Sequence, residues 1–253
     1  MPNFTKRDPD APAGFFEAEA AGLAWLGSVP GGVRTARVIA VRPGAIELEN
    51  VEPAPPTPAA AREFGAALAR THDAGAAAFG SPPDGYAGPM YIGQRALTTA
   101  RQTRWGRFYA RDRVLPYLVA AVKAGNVTET EERIIRAACD RISAGAFDDS
   151  EAPARLHGDL WNGNVLWSAG GVVLIDPAAH GGHRETDLAM LALFGCPFLD
   201  QVLAAYDAEI PLREGWRERV PVHQLHPLAV HAAGHGRSYG VALIAAAEAT
   251  LEL

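Results

Sequence analysis

The chain has 253 residues, 23 basic against 29 acidic side chains, a formal net charge of −6 and a pI of about 5.8. Hydrophobic residues make up 48% and charged residues 21%, ordinary values for a chain that buries a sizeable core as one domain or two lobes. The acidic balance argues against non-specific nucleic-acid binding, and no apolar run approaches the ~20 residues of a membrane span. The start, MPNFTKRDPDAP, lacks the apolar segment and cleavage site of a secretory signal. Cys139 and Cys196 are too few for a disulfide framework, so a reducing, cytoplasmic location is expected.

Along the chain, Phe16, Glu19, Ala20, Leu23 and Ala24 recur at helical spacing and predict a helix that stops at Gly27. The runs Ala36–Arg42 and Ala45–Glu49, separated by Pro43-Gly44, predict a hairpin. Prolines at 53, 55, 56 and 58 make residues 52–58 a stiff linker. Thr57 as N-cap and Pro58 at the first helical position then open an Ala-rich helix through Phe64, Leu68 and Thr71 to Gly75. Gly80 to Gly93 reads as a Gly/Pro-rich loop. Thr103–Ala124 reads as a helix carrying Trp105, Phe108, Tyr109 and Leu115, bent at Pro116. Thr128 with Glu131 is a capping box for a helix to about Ser143. Val165–Trp167 and Val172–Ile175 are strand-like, and everything after Arg184 reads as helices with Pro-rich breaks. The resulting division is a small lobe over 1–51, the linker 52–58, and a larger, mainly helical lobe over 59–253.

Two motifs tempt and fail. Gly236-Arg-Ser238-Tyr-Gly240 matches a nucleophile elbow, but all eight histidines precede Ser238 and the upstream residues suggest a helix, so a glycine-rich turn is expected. His223, His226, His231 and His235 have helical spacing without a nearby cysteine or an H-E-x-x-H pattern, which argues against a metal site. Neither a P-loop nor G-x-G-x-x-G is present.

The chemistry concentrates in Leu156-His157-Gly158-Asp159-Leu160-Trp161-Asn162-Gly163-Asn164, followed by a hairpin that ends in Ile175-Asp176-Pro177. Phosphoryl transfer needs a carboxylate at the attacking hydroxyl and hard oxygen ligands for Mg²⁺. Asp159 and Asn164 have the spacing of base and metal-binding amide in a kinase catalytic loop, and the second strand delivers Asp176 to the same place. The competing reading is that Asp159 and Asn164 cap a tight loop and Asp176-Pro177 is a turn. It fits each residue singly but gives no reason for all three to converge.

HGDLWNGN, IDPAAHGGHRETDLAM and FGAALARTHDAG…FG…DGYAG together resemble the fructosamine kinase (ketosamine kinase) family, and the resemblance runs from about Phe4 to the C-terminal helices. It implies an α+β, protein-kinase-like two-lobed fold with a small antiparallel sheet and a larger helical lobe. It implies an ATP- and Mg²⁺-dependent kinase acting on a sugar hydroxyl of a small-molecule or protein-linked ketosamine, with no nucleic-acid or membrane partner. By the same resemblance Asp159 is the base, Asn164 and Asp176 hold Mg²⁺, and Trp161 and His157 lie on the sugar side. Asp187 braces the catalytic loop. Phe4-Thr5-Lys6 resembles the strand bearing the ATP-phosphate lysine, and Phe16–Glu19 the helix bearing its glutamate partner. Glu19 also lies on the apolar stripe with Phe16 and Leu23, where a carboxylate is costly unless paired. The backbone of Glu49–Val51 is expected to meet adenine.

One departure stands out. Only five residues precede Lys6, where kinase-like folds place a glycine-rich phosphate loop. Weak or absent activity at this length is therefore expected, as is an open sheet edge that invites pairing with another chain, such as a homodimer. The alternatives are a catalytically impaired, nucleotide- or protein-binding member of the fold and an aminoglycoside-like phosphotransferase.

Overall fold

In the computed structural model, which describes residues 3–253, strand β1 (Phe4–Arg7) precedes helix α1 (Phe15–Gly27). Strands β2 (Arg34–Thr35), β3 (Val38–Arg42) and β4 (Ala45–Leu48) follow. The expected hairpin is β3–β4, with Gly44 in the left-handed region (φ 70°) at its turn. Strand β1 pairs antiparallel with β4, so the sheet order is β1-β4-β3 and Lys6 stands opposite Ile46. Strand β1 is thus an edge. Residues 52–57 form no regular structure, and the Ala54 amide donates to the Trp167 carbonyl (2.8 Å). Thr57 caps α2 (Pro58–Asp73) by accepting from the Ala60 amide (3.2 Å).

The stretch read as a Gly/Pro-rich loop ends in structure. Strands β5 (Met90–Ile92) and β6 (Arg95–Leu97) form a hairpin across Gly93-Gln94. The next helix is not simply bent at Pro116. It runs as α3 (Trp105–Phe108), a π-turn (Tyr109–Val114) and α4 (Leu115–Lys123). Pro116 has no amide to donate, and the Leu115 amide reaches back to the Ala110 carbonyl, which widens the turn rather than breaking it. Helix α5 (Glu129–Ser143) begins with the full capping box.

Strand β7 (Ala154–Leu156), the short 3₁₀ turn Asn162–Asn164, β8 (Val165–Ser168), β9 (Gly171–Leu174) and β10 (His180–Gly182) build the centre. Strand β7 pairs with β10, and β8 with β9. Helices α6 (Glu185–Phe194), α7 (Leu199–Glu209), α8 (Val220–Ala232) and α9 (Arg237–Glu252) complete the chain. Ser238 is exposed in the first turn of α9, in agreement with the rejected elbow.

Three apolar clusters hold these layers. The smallest joins Phe16, Leu23, Ala36, Ile46 and Leu48 to Val173 of β9. A second packs Phe64 and Leu68 of α2 on Leu174, Val202 and Tyr206. The third gathers the π-turn, α4, α5, α8 and α9 around Leu118, Ile135, Leu225 and Leu243. Each such fully buried side chain contributes about 1.5–3 kcal/mol. Strand β2 pairs in parallel with β9, so the small lobe is bonded to the central hairpin as well as packed on it. Among the described residues, no helix is long and apolar enough to cross a membrane, and Cys139 and Cys196 are unpaired.

Candidate active site

Strand β7 ends at Leu156 and delivers His157-Gly158-Asp159 to the mouth between the lobes. Gly158 has φ 80°, and a Cβ there would run into the Ala178 carbonyl and the His180 ring, so only glycine suits the turn. Asp187, in the first turn of α6, braces it by accepting from the His157 (2.7 Å) and Gly158 (3.0 Å) amides. Burial opposes charge on Asp187, yet the His72 hydrogen bond (3.2 Å) and the neighbouring imidazoles keep its carboxyl below the usual range. The brace implied by the resemblance is where it was expected.

His157 does not line the cleft. It is 1% exposed; its Nδ1 accepts from the Asp159 amide (3.2 Å), which puts the ring proton on Nε2, donated to the Ile175 carbonyl (2.9 Å). Burial lowers its pKa and favours that neutral form. His157 therefore ties the catalytic loop to the end of β9, and its expected place on the sugar side is corrected to one behind the loop.

Asp159 is partly buried at the cleft. Its carbonyl and carboxylate accept from Asn164 Nδ2 at 2.8 and 3.2 Å. Burial pushes the Asp159 carboxyl up to about 7, against the pull of the Asn164 hydrogen bond and with a further push from the Asp187 charge. With its amide nitrogen so engaged, Asn164 keeps Oδ1 as the atom for a ligand. Asp176 follows β9 with φ 54°, uncommon for a residue with a side chain. Its Oδ1 is buried without a hydrogen bond and lies against Lys6 Nζ. Lys6 also donates to Glu19 Oε1 (2.7 Å), and Glu19 is 8% exposed on α1. The costly carboxylate on the apolar stripe thus has its cation.

A cleft of about 300 Å³ is lined by Lys6, Glu19, Asp159, Asn164 and Asp176 together with Trp161. A second cavity of about 660 Å³ shares Asp159 and Trp161 with it and is otherwise bounded by residues such as Arg95, His231 and His235. Asp159 and Trp161 stand between the two spaces, with Trp161 41% exposed and edge-on to Phe194. The histidines weighed and set aside as metal ligands divide here. His223 and His226 are buried, whereas His231 and His235 face the second cavity. Arg95 lies just beyond the Gly80–Gly93 stretch, in a strand too short to leave a signal in the sequence. Glu49 and Val51 line neither space. The Glu49 amide donates to the Arg37 carbonyl (2.9 Å), its carboxylate accepts from the Arg37 amide (3.1 Å), and Val51 packs on the small core.

The sequence model of the fructosamine kinase family matches residues 2–252. The chain belongs to the fructosamine kinase family. Members of this family are phosphotransferases, and the similarity is spread along the chain. An Enterococcus faecium protein named "Probable ketoamine kinase" is 34% identical over 241 residues, 94% of this chain and 83% of its own. A Mus musculus ketosamine-3-kinase is 35% identical over 139 residues, 54% of this chain and 44% of that protein. A Thermobifida fusca crystal structure assigned as a fructosamine-3-kinase is 47% identical, with a TM-score of 0.92 over 99% of this chain and 86% of that one. An aminoglycoside phosphotransferase at 12% identity and TM-score 0.62, over 95% of this chain and 84% of that one, shares the protein-kinase-like fold alone.

Proposed function

We propose that this chain transfers the γ-phosphoryl group of ATP to a sugar hydroxyl of a ketosamine, of the fructosamine or ribulosamine type, free or protein-linked. The observation that carries the reading is that Asp159, Asn164, Asp176 and the Lys6–Glu19 pair line one cleft, with a second cavity beyond Asp159 for the acceptor. Asp159 accepts the proton as the hydroxyl oxygen forms its bond to phosphorus and the bond to the ADP oxygen breaks. A buried carboxyl poised near neutrality suits that exchange. The Asp176 carboxylate, which now faces Lys6, and the uncommitted Asn164 oxygen are hard oxygen donors that fit Mg²⁺. When bound there, Mg²⁺ neutralises phosphate charge. Lys6, oriented by Glu19, offers a compact cation to the phosphates, and Trp161 gives the sugar a flat apolar wall.

In this reading residues 1–51 are the nucleotide lobe, 52–58 the linker and 59–253 the catalytic and substrate lobe. A second reading is a nucleotide- or protein-binding member of the family that does not catalyse. The free thiols suit a reducing cytoplasm, and the open β1 edge suits a homodimer.

The test is phosphate transfer from Mg·ATP to amines bearing fructose or ribulose, with an aminoglycoside as control. Asp159→Asn is expected to lower turnover by about 10²–10⁴-fold while Mg·ATP still binds. Mg·ATP binding by the unsubstituted chain without phosphorylated product would favour the binder. Turnover of the aminoglycoside alone would replace the acceptor class.

A further inference from the structure

Arg113 is a cation in an unexpected place. Its side chain is 1% exposed, and it projects from the π-turn rather than from a regular helix. Its Nη1 donates to the carbonyls of Thr98 (2.8 Å) and Asp112 (3.0 Å), and the guanidinium lies 4.5 Å over the Phe108 ring. Its Nε donates to Nε2 of His180 (3.3 Å). None of these partners is an anion, so the charge is held by dipoles and an aromatic face, an expensive arrangement for a merely structural residue. A π-turn inside an α-helix is itself frequent at functional sites.

The contact to His180 has a definite chemical consequence. Arginine can only donate, so His180 Nε2 must accept, and the ring proton resides on Nδ1. Nδ1 therefore donates to the Ala178 carbonyl, 2.7 Å away. Burial, reinforced by the Arg113 charge, lowers the imidazole to about 3 and keeps it neutral. The same hydrogen bond is what the Gly158 backbone packs against, since a Cβ on Gly158 would meet both of its ends.

Ala178 is two residues beyond Asp176, whose φ of 54° is an uncommon conformation that persists only where the surroundings hold it. On the upstream side the segment is fixed at Ile175, whose amide donates to the Asn164 carbonyl (3.2 Å) and whose carbonyl accepts from His157. Downstream, the Ala178 carbonyl is held by His180, and His180 by Arg113. We infer that Arg113 and His180 are positioning residues: a buried relay that pins the Ala178 carbonyl and so keeps Asp176 turned into the cleft for the metal–nucleotide complex. This rests on the proposed role of Asp176 as a metal ligand.

The experiment is calorimetric titration of the full chain with ATP, once with Mg²⁺ and once with EDTA, read as the ratio of the two dissociation constants. Thermal unfolding is followed in parallel. His180→Gln keeps an acceptor for Arg113 but has no donor where Nδ1 was. It is expected to weaken Mg·ATP about tenfold or more and to leave metal-free ATP unchanged, the scale of one lost buried hydrogen bond. His180→Asn, which places an amide near the Nδ1 position, is expected to stay within about threefold. Arg113→Met, which removes the donor that fixes the His180 tautomer, is expected to fall with His180→Gln, and it carries the test should that variant fail to fold. A lowered melting temperature with an unchanged ratio in His180→Gln or Arg113→Met would overturn the relay. Asp176→Ala separates the two claims. If it leaves the ratio unchanged, the metal assignment fails; if it collapses the ratio and the relay variants do not, only the relay fails.

Discussion

At Asp159, burial and the nearby Asp187 charge disfavour ionisation, and Asn164 alone resists with a hydrogen bond. A base must be unprotonated to accept a proton, so the raised carboxyl sets the acid limb of activity. We expect kcat/KM, which reports the free protein, to fall tenfold per pH unit below about 7. The limb for kcat should lie lower, because a cation beside Asp159 favours the carboxylate. A profile for kcat/KM that stays flat from pH 8 down to 5 would remove Asp159 from that role. Of the residues around it, Asn164 and Asp176 were legible from their spacing and Glu19 from its place on an apolar stripe, whereas Lys6 was placed by resemblance. The role of His157 was not legible, because a histidine beside a catalytic aspartate reads as a ligand contact until its two ring nitrogens are seen to serve backbone groups. The Glu49–Val51 backbone was assigned to adenine by resemblance alone; Glu49 spends its amide and carboxylate on Arg37, and neither residue lines the cleft.

Among the elements, those carried by local chemistry were the legible ones. The Thr128–Glu131 box, the Thr57 cap with Pro58, and the Pro43-Gly44 turn each satisfy backbone groups within a few residues, so the sequence alone specifies them. Thr128→Ala should cost about 1 kcal/mol and lower the melting temperature by about 2–4 °C. A shift below half a degree would mean that packing of Ile135, Cys139 and Ile142 fixes α5 without its cap. The hairpin β5–β6 escaped because strands of three residues each give no alternation to count. What makes them strands is tertiary: Met90, Ile92 and Leu97 enter the large core, and the Tyr117 hydroxyl donates to the Ala96 carbonyl at 2.9 Å. The π-turn escaped for a similar reason. Pro116 announces a disturbance, but Arg113 buried against His180 decides its form.

Across the whole molecule, buried imidazoles and their partners set the acid response. Burial lowers His180 to about 3 and His223 to about 4 from an ordinary 6.5. The unfolded chain therefore takes up protons that the folded chain refuses as pH falls from about 6.5. Each group removes stability at roughly 1.4 kcal/mol per pH unit until its folded value is reached. Glu185 adds to this at lower pH. Burial works against its charge, but hydrogen bonds from His223 and Arg219 bring it from 4.5 to about 2, so its contribution is whole above 4.5 and lost towards 2. Urea midpoints should thus fall steadily from pH 6.5 to 4 and keep falling below; a plateau between 6.5 and 4 would contradict the neutral histidines. The small antiparallel sheet and the many helices were legible from composition and motif order. The pairing of β2 with β9 was not, because two residues of parallel strand leave no signal. It matters for motion. Arg34 and Thr35 sit opposite Val173 and Leu174, and the Ala36 amide donates to the Leu174 carbonyl at 3.0 Å, so backbone bonds cross between the lobes. Swinging the lobes apart as two rigid bodies would tear that ladder. The two lips of the cleft, the edge strand that bears Lys6 and the hairpin that bears Met90 and Tyr91, thus face each other across a joint held by backbone bonds.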